Sequence, residues 1–209
     1  MSSVPGAWTK LLVALWALVV IGAMGALWRY KLTPGSQAEL HATWPVGSRI
    51  ERAASGPTLL LFAHPRCPCT RASLAELRRV LSPFAGQVKA EIVLLQGGDG
   101  SPGWDRDEAL GSAFSIPGVS VAADRDGSEA RRFGAITSGH VVLYGTRGEL
   151  LFSGGITPGR GHQGDSPQEE RLVELLRRET QAAGALTNSP DAPLGRVGAV
   201  YGCPLRVKR

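Results

Sequence analysis

Cysteine is scarce here, with three residues in a chain of 209. An odd number cannot pair completely within one chain, so a disulfide-built scaffold is excluded. Two of the three, Cys67 and Cys69, stand one residue apart, and no second pair follows to complete a zinc knuckle. Aromatic residues are only 6% of the chain and are not interleaved with the basic ones, whose excess is a modest +5, so no nucleic-acid partner is expected. What remains, 43% hydrophobic and 20% charged, is the balance of one ordinary globular domain with appendages.

The chain is organised around the stretch from Leu59 to Leu81. An apolar run, Leu59 to Phe62, predicts a strand that leads straight into His64-Pro-Arg-Cys-Pro-Cys69. Leu74, Leu77, Val80 and Leu81 then recur on one helical face, while Arg71, Glu76, Arg78 and Arg79 take the other. Cys67 and Cys69 are therefore expected at a helix N-terminus. Pro68 suits the first helical position, where its missing N–H goes unused, and the positive end of the helix dipole favours a thiolate. The bland alternative is a pair of inert, half-buried thiols.

Residues 1–10 read as a short tail and 11–30 as a transmembrane anchor. Leu11 to Trp28 carries no charge, is bracketed by Lys10, Arg29 and Lys31, and has Trp8, Trp28 and Tyr30 where interfacial aromatics belong. The rival is a cleaved signal peptide ending near Ala23-Met24-Gly25, although the apolar stretch is long for one. Residues 31–56 read as a linker and irregular lead-in with a short strand around Ala42 to Trp44, 57–182 as the folded domain, and 183–209 as a tail containing Cys203.

Within the domain, strands are expected at Ala90–Leu95, Val119–Ala122, Val141–Tyr144 and Glu149–Phe152, the last two joined by a hairpin at Thr146-Arg-Gly148. A glycine-rich loop is expected over Gly97 to Gly103, a helix capped by Asp105 and Glu108, a short helix over Ser128–Phe133, and a final helix opened by the capping box Ser166-Pro-Gln-Glu169. Strands alternating with helices imply an α/β fold with a sheet covered on both faces and an antiparallel hairpin at one edge.

The dithiol at the end of the first strand, followed by Ala123-Asp-Arg-Asp-Gly127, Phe133-Gly134, Val141-Val-Leu-Tyr144 and Gly154-Gly155, resembles the thioredoxin superfamily in its TlpA/peroxiredoxin-like branch. His64-Pro-Arg-Cys-Pro-Cys69 and Gly154-Gly-Ile-Thr157, with Arg160-Gly-His162 and Gly164-Asp165, resemble the bacterial RedB family. The resemblance implies a thioredoxin-like fold, a mixed central sheet with helices on both faces. Two departures stand out. Aligning Pro68-Cys69 on the Pro-Cys of thioredoxins leaves Arg66 where their attacking cysteine would be, and Ser138-Gly139-His140 stands where they carry a cis-proline.

In this topology the hairpin begins and ends at the sheet end that carries the cysteines, so His140, Arg160, His162 and Asp165 are expected around the dithiol, with His64 shaping the loop before Pro65. The implied function is a membrane-anchored thiol-disulfide oxidoreductase without a cofactor. Its partners would be protein thiols or disulfides, with Cys67 as the expected nucleophile and Cys69 resolving the mixed disulfide. A disulfide persists outside the cytosol, which places the chain as a single-pass protein of the bacterial inner membrane with its domain in the periplasm. The alternative is a Sco-like copper protein holding Cu(I) through Cys67, Cys69 and His140; a scaffold used only for binding is a third reading. Cys203, in Tyr201-Gly-Cys-Pro-Leu205, has a tether long enough to reach the dithiol. There it would resolve a mixed disulfide or add a third thiolate to copper; otherwise it packs or pairs between molecules.

Overall fold

A computed structural model describes residues 6–36, 38, 39, 41–96, 111, 113, 115–184 and 198–205. The expected loop over Gly97 to Gly103 and the capping residues Asp105 and Glu108 lie outside them. The chain divides into two units, Met1–Thr33 and Pro34–Arg209.

The first unit contains helix α1, Ala7–Leu32, whose 26 residues begin four positions before the expected span of 11–30 and end two after it. At 1.5 Å per residue this is about 39 Å, enough to cross a bilayer core of about 30 Å. Between Lys10 and Arg29 its side chains are apolar all round, and none in the helix is buried, so it has no stripe with which to pack on a soluble core. Thr33 ends it, its hydroxyl donating to Arg29 O at 2.6 Å.

The second unit contains strands β1 (Thr58–Ala63), β2 (Lys89–Leu95), β3 (Val119–Asp124), β4 (His140–Tyr144) and β5 (Leu150–Gly154) in the order β3-β2-β1-β4-β5. β1 pairs in parallel with β2, and β2 with β3; β1 pairs antiparallel with β4, and β4 with β5. Helices α2 (Pro68–Leu81), α3 (Ser128–Arg132) and α4 (Pro167–Gly184) cover the sheet. This is the thioredoxin-like arrangement the sequence implied.

Alternation along β1 sorts the core into two clusters. Leu59 and Leu61 point to the face where Leu74 and Leu77 of α2 and Leu172 and Leu176 of α4 pack. Leu60 and Phe62 point to the other, with Phe133, Val142 and Tyr144. Fully burying side chains of this size is worth about 1.5–3 kcal/mol each, so β1, buried on both faces, anchors the fold. The lead-in contributes too. Trp44 packs edge-on against Phe133 and Tyr144 at 5.0 Å in each case, and Thr43 bridges to Glu149.

The capping box at α4 is half formed. Ser166 Oγ accepts from Glu169 N–H at 3.2 Å, whereas the Glu169 carboxylate turns to Arg79, 2.8 and 2.9 Å from its Nη2. Tertiary ion pairing there outcompetes the local return bond.

Candidate functional site

β1 ends at Ala63, and the chain turns through His64, Pro65 and Arg66 to Cys67, the N-cap of α2. Cys67 has extended backbone (φ −86°, ψ 123°) and Pro68 follows at the first helical position. The turn is closed by hydrogen bonds. Cys67 N–H donates to His64 O at 3.0 Å, and Arg66 N–H donates to His64 Nδ1 at 3.1 Å, so this ring nitrogen is an acceptor. His64 thus shapes the loop.

A ring of hydroxyls ties this loop to the entry of β4. His64 N–H donates to Ser138 Oγ at 3.0 Å, and the Thr70 hydroxyl donates to His64 O at 2.8 Å. Since that donation uses the single Thr70 hydroxyl hydrogen, the 3.1 Å contact between the two hydroxyls has Ser138 as donor. Ser138 and Thr70, both buried, are site residues that motif reading passed over. The signal available in sequence was the Ser-Gly pair preceding β4.

The three cysteines are free and come together. Cys67 is 3% exposed; the neighbouring Cys69 thiol, opposed by burial and joined by the Cys203 thiol and the backbone N–H groups of Cys203 and Cys69, favours its ionised form. These donors lower its pKa to about 4. Donation to Cys67 holds the Cys69 proton on, helped by burial and by the Cys67 charge, while Gly161 N–H opposes. The Cys203 thiol is pushed up to about 11, first by burial and then by its bond to Cys67, with the Arg160 guanidinium opposing. These shifts all favour ionisation at Cys67 over Cys69 and Cys203.

A groove of about 530 Å³ opens beside Cys67, with Arg66, Pro68, Arg71, Gly161 and Gln163 on its walls. Neither Cys69 nor Cys203 lines it. A sulfur arriving through the groove meets Cys67 first.

The other expected site residues separate. Arg160 does approach, donating from Nη1 to Gly202 O beside Cys203. His162 is exposed, and its backbone N–H donates to Gly159 O at 3.3 Å. Asp165, 87% exposed, pairs with Arg79 at 3.1 Å, ten residues along α2 from Cys69 and so about 15 Å down its axis. His140 opens β4 two residues before Val142, on the sheet face opposite α2. It is 1% exposed, its Nε2 is 2.7 Å from Ser153 Oγ, its Nδ1 has no protein partner, and burial lowers its pKa to about 4. The three-coordinate copper site of Cys67, Cys69 and His140 is thus not assembled, because strand alternation turns the imidazole away. Among the described residues no group of three His, Cys, Asp or Glu side chains is arranged to hold a metal ion.

No family model matches the sequence, and no curated protein matches it. Solved structures do resemble it. A hypothetical protein of Sinorhizobium meliloti has a TM-score of 0.62 at 15% identity, covering 83% of this chain and 99% of its own. An uncharacterized conserved protein of Geobacillus kaustophilus has a TM-score of 0.57 at 16% identity, covering 85% and 93%. A putative thioredoxin of Neisseria meningitidis has a TM-score of 0.46 at 17% identity, covering 74% and 99%. At such identities the likeness concerns the fold. Here it accompanies a thioredoxin-like sheet whose cysteine-bearing end is closed by three thiols and a hydroxyl ring.

Proposed function

We propose that this chain is a membrane-anchored thiol-disulfide oxidoreductase of the TlpA/peroxiredoxin-like branch, akin to the RedB family, acting on protein thiols or disulfides from the periplasmic side of a bacterial inner membrane. The observation that carries the reading is the placement of Cys67 at the N-cap of α2, lining a groove and beside thiols that favour its ionised form. An apolar helix of transmembrane length supports the anchor.

The chemistry is thiol-disulfide exchange. Cys67 Sγ attacks one sulfur of a substrate disulfide, forming a mixed disulfide and releasing a thiolate. Cys67 then carries no charge. Cys69 loses both the hydrogen-bond acceptor and the like charge that held its proton, so it ionises more readily and can attack Cys67 Sγ. The substrate leaves as a dithiol. Run backwards, the same steps oxidise a dithiol, and the redox partner sets the direction.

The test is reduction of a disulfide-bonded protein such as insulin by the full-length chain in detergent, driven by dithiothreitol. Cys67→Ala should abolish the acceleration over dithiothreitol alone, and the Cys69→Ser, Cys203→Ser double variant, which keeps only the attacking thiol, should accumulate a mixed disulfide. Full activity in Cys67→Ala would defeat the reading.

A further inference from the structure

Residues 198–205 form a strap across the sheet end that carries the cysteines. The strap is held to the exit of β5, where Gly198 N–H donates to Ser153 O at 2.8 Å and Gly155 N–H to Ala199 O at 3.0 Å. It is held equally to the entry of β4, where Ser138 N–H donates to Cys203 O and Leu205 N–H to Ile136 O, both at 2.8 Å. Val200 is fully buried, and Leu205 joins the second core cluster.

Glycines make this close approach possible. A Cβ on Gly155 would stand 2.8 Å from Ala199 O, and one on Gly202 would overlap Ser138 O. Both obstacles are backbone and cannot rotate away. The Gly154-Gly155 pair thus has a structural reason in the strap, and Gly202 seats the strap on the residue whose hydroxyl is bonded to the Cys67 loop.

The strap brings Cys203 to the Cys67 loop. Cys203 O accepts from Ser138 N–H, Ser138 Oγ accepts from His64 N–H, and His64 O accepts from Cys67 N–H. From this placement the Cys203 thiol and N–H favour an ionised Cys67 sulfur. The groove through which a substrate sulfur would arrive is lined by neither Cys203 nor Cys69, so Cys203 keeps its place while Cys67 is engaged.

We propose that Cys203 is a third redox thiol of this site, presented by the strap to resolve the mixed disulfide at Cys67. The inference rests on the thiol-disulfide reading above and departs from it in naming the resolving sulfur. Cys67 Sγ first bonds one sulfur of a protein disulfide and expels the other as a thiolate. Cys203 Sγ then attacks Cys67 Sγ; the Cys67–Cys203 bond forms, the bond to substrate breaks, and the second substrate thiolate leaves. The Cys203 proton passes to one departing thiolate and water supplies the other. The substrate gains two electrons, and the Cys67–Cys203 pair loses them.

Two features favour Cys203 over Cys69. A Cys67–Cys69 bond closes a ring over one residue, Pro68, whose φ is locked, and Cys69 already lies in the first turn of α2. Cys203 comes from a distant part of the chain and carries no such constraint. Once Cys67 is uncharged, the Arg160 guanidinium is the charged group still acting on the Cys203 sulfur, and it favours the thiolate.

The experiment is single turnover of the reduced full-length chain in detergent with insulin, quenched by acid and mapped by mass spectrometry. Cys69→Ser should still release substrate thiol and yield a Cys67–Cys203 disulfide. Cys203→Ser should slow that release by about tenfold or more, as expected when a positioned thiol is lost. Gly202→Ala, which keeps every thiol but displaces the strap, should slow it similarly with native-like circular dichroism. A lasting mixed disulfide in Cys69→Ser, with Cys203 freely alkylated, overturns the proposal and leaves the oxidoreductase reading standing. No mixed disulfide in the Cys69→Ser, Cys203→Ser double variant defeats both.

Discussion

Ser138 and Thr70, 68 residues apart in sequence, share a hydroxyl hydrogen bond of 3.1 Å that fastens the entry of β4 to the first turn of α2. Ser138 also accepts from His64 N–H, so one side chain closes the loop that carries Cys67. Ser138→Ala leaves the His64 N–H unpaired at a part-buried position and takes the donor from Thr70 Oγ1. The expected cost is about 1–3 kcal/mol. Urea unfolding should show it as a lower midpoint with an unchanged slope, and Cys67 should alkylate at an altered rate.

The donors around Cys67 predict how its reactivity follows pH. With its pKa lowered to about 4, the sulfur is ionised across the neutral range, and the thiolate ultraviolet absorption of the reduced protein should persist to about pH 4. For stability the sign is that of a depressed acid. An unfolded cysteine titrates near 8.5, so the contribution is fully present above about pH 8.5 and is lost as pH falls to about 4. Cys67→Ser should lack both the absorption and this part of the acid loss. A titration midpoint near the ordinary cysteine value would contradict the assignment.

His140 predicts a second, separate acid dependence. Burial lowers its pKa from an ordinary 6.5 to about 4, so the folded protein holds it neutral while the unfolded chain protonates it. Between those values the unfolded state binds more protons, and stability falls as pH drops from about 6.5 to about 4. His140→Asn should flatten that window in thermal melts. In anaerobic Cu(I) titrations of the reduced protein, the same variant should match wild type, since the imidazole lies on the face opposite α2.

Redox poise gives a further check. A Cys67–Cys69 disulfide spans only Pro68, a tight ring that is easier to reduce than an unconstrained one. In Cys203→Ser, where only that pair can form within the chain, titration against glutathione should return a potential above thioredoxin's of about −270 mV. A value well below it removes the strain argument.

Much of this architecture was written locally. Alternating and continuous apolar runs marked β1, β2, β4 and β5, the three- and four-residue spacing of leucines marked α2, and Pro68 marked its first turn. The uncharged N-terminal run marked α1. These follow from sequence because side-chain period and backbone preference act over a few residues. The placement of Cys67 and Cys69 at a helix start belongs with them.

Tertiary structure decided what surrounds the dithiol. His140 is next to the site in sequence logic, yet strand alternation sends its side chain to the far face. Asp165, carried by the same loop as Gly161, is drawn to Arg79 because a charge half-exposed on α2 attracts it. Thr70 has no local signature of a site, Ser138 only the Ser-Gly pair before β4, and Cys203 only a tether of sufficient reach, since each acts through a partner far away along the chain. The third thiol reaches Cys67 because glycines at 155 and 202 let backbone touch backbone and because Val200 and Leu205 bury apolar surface. Close contact between distant segments is a property of the folded chain, and periodicity does not encode it.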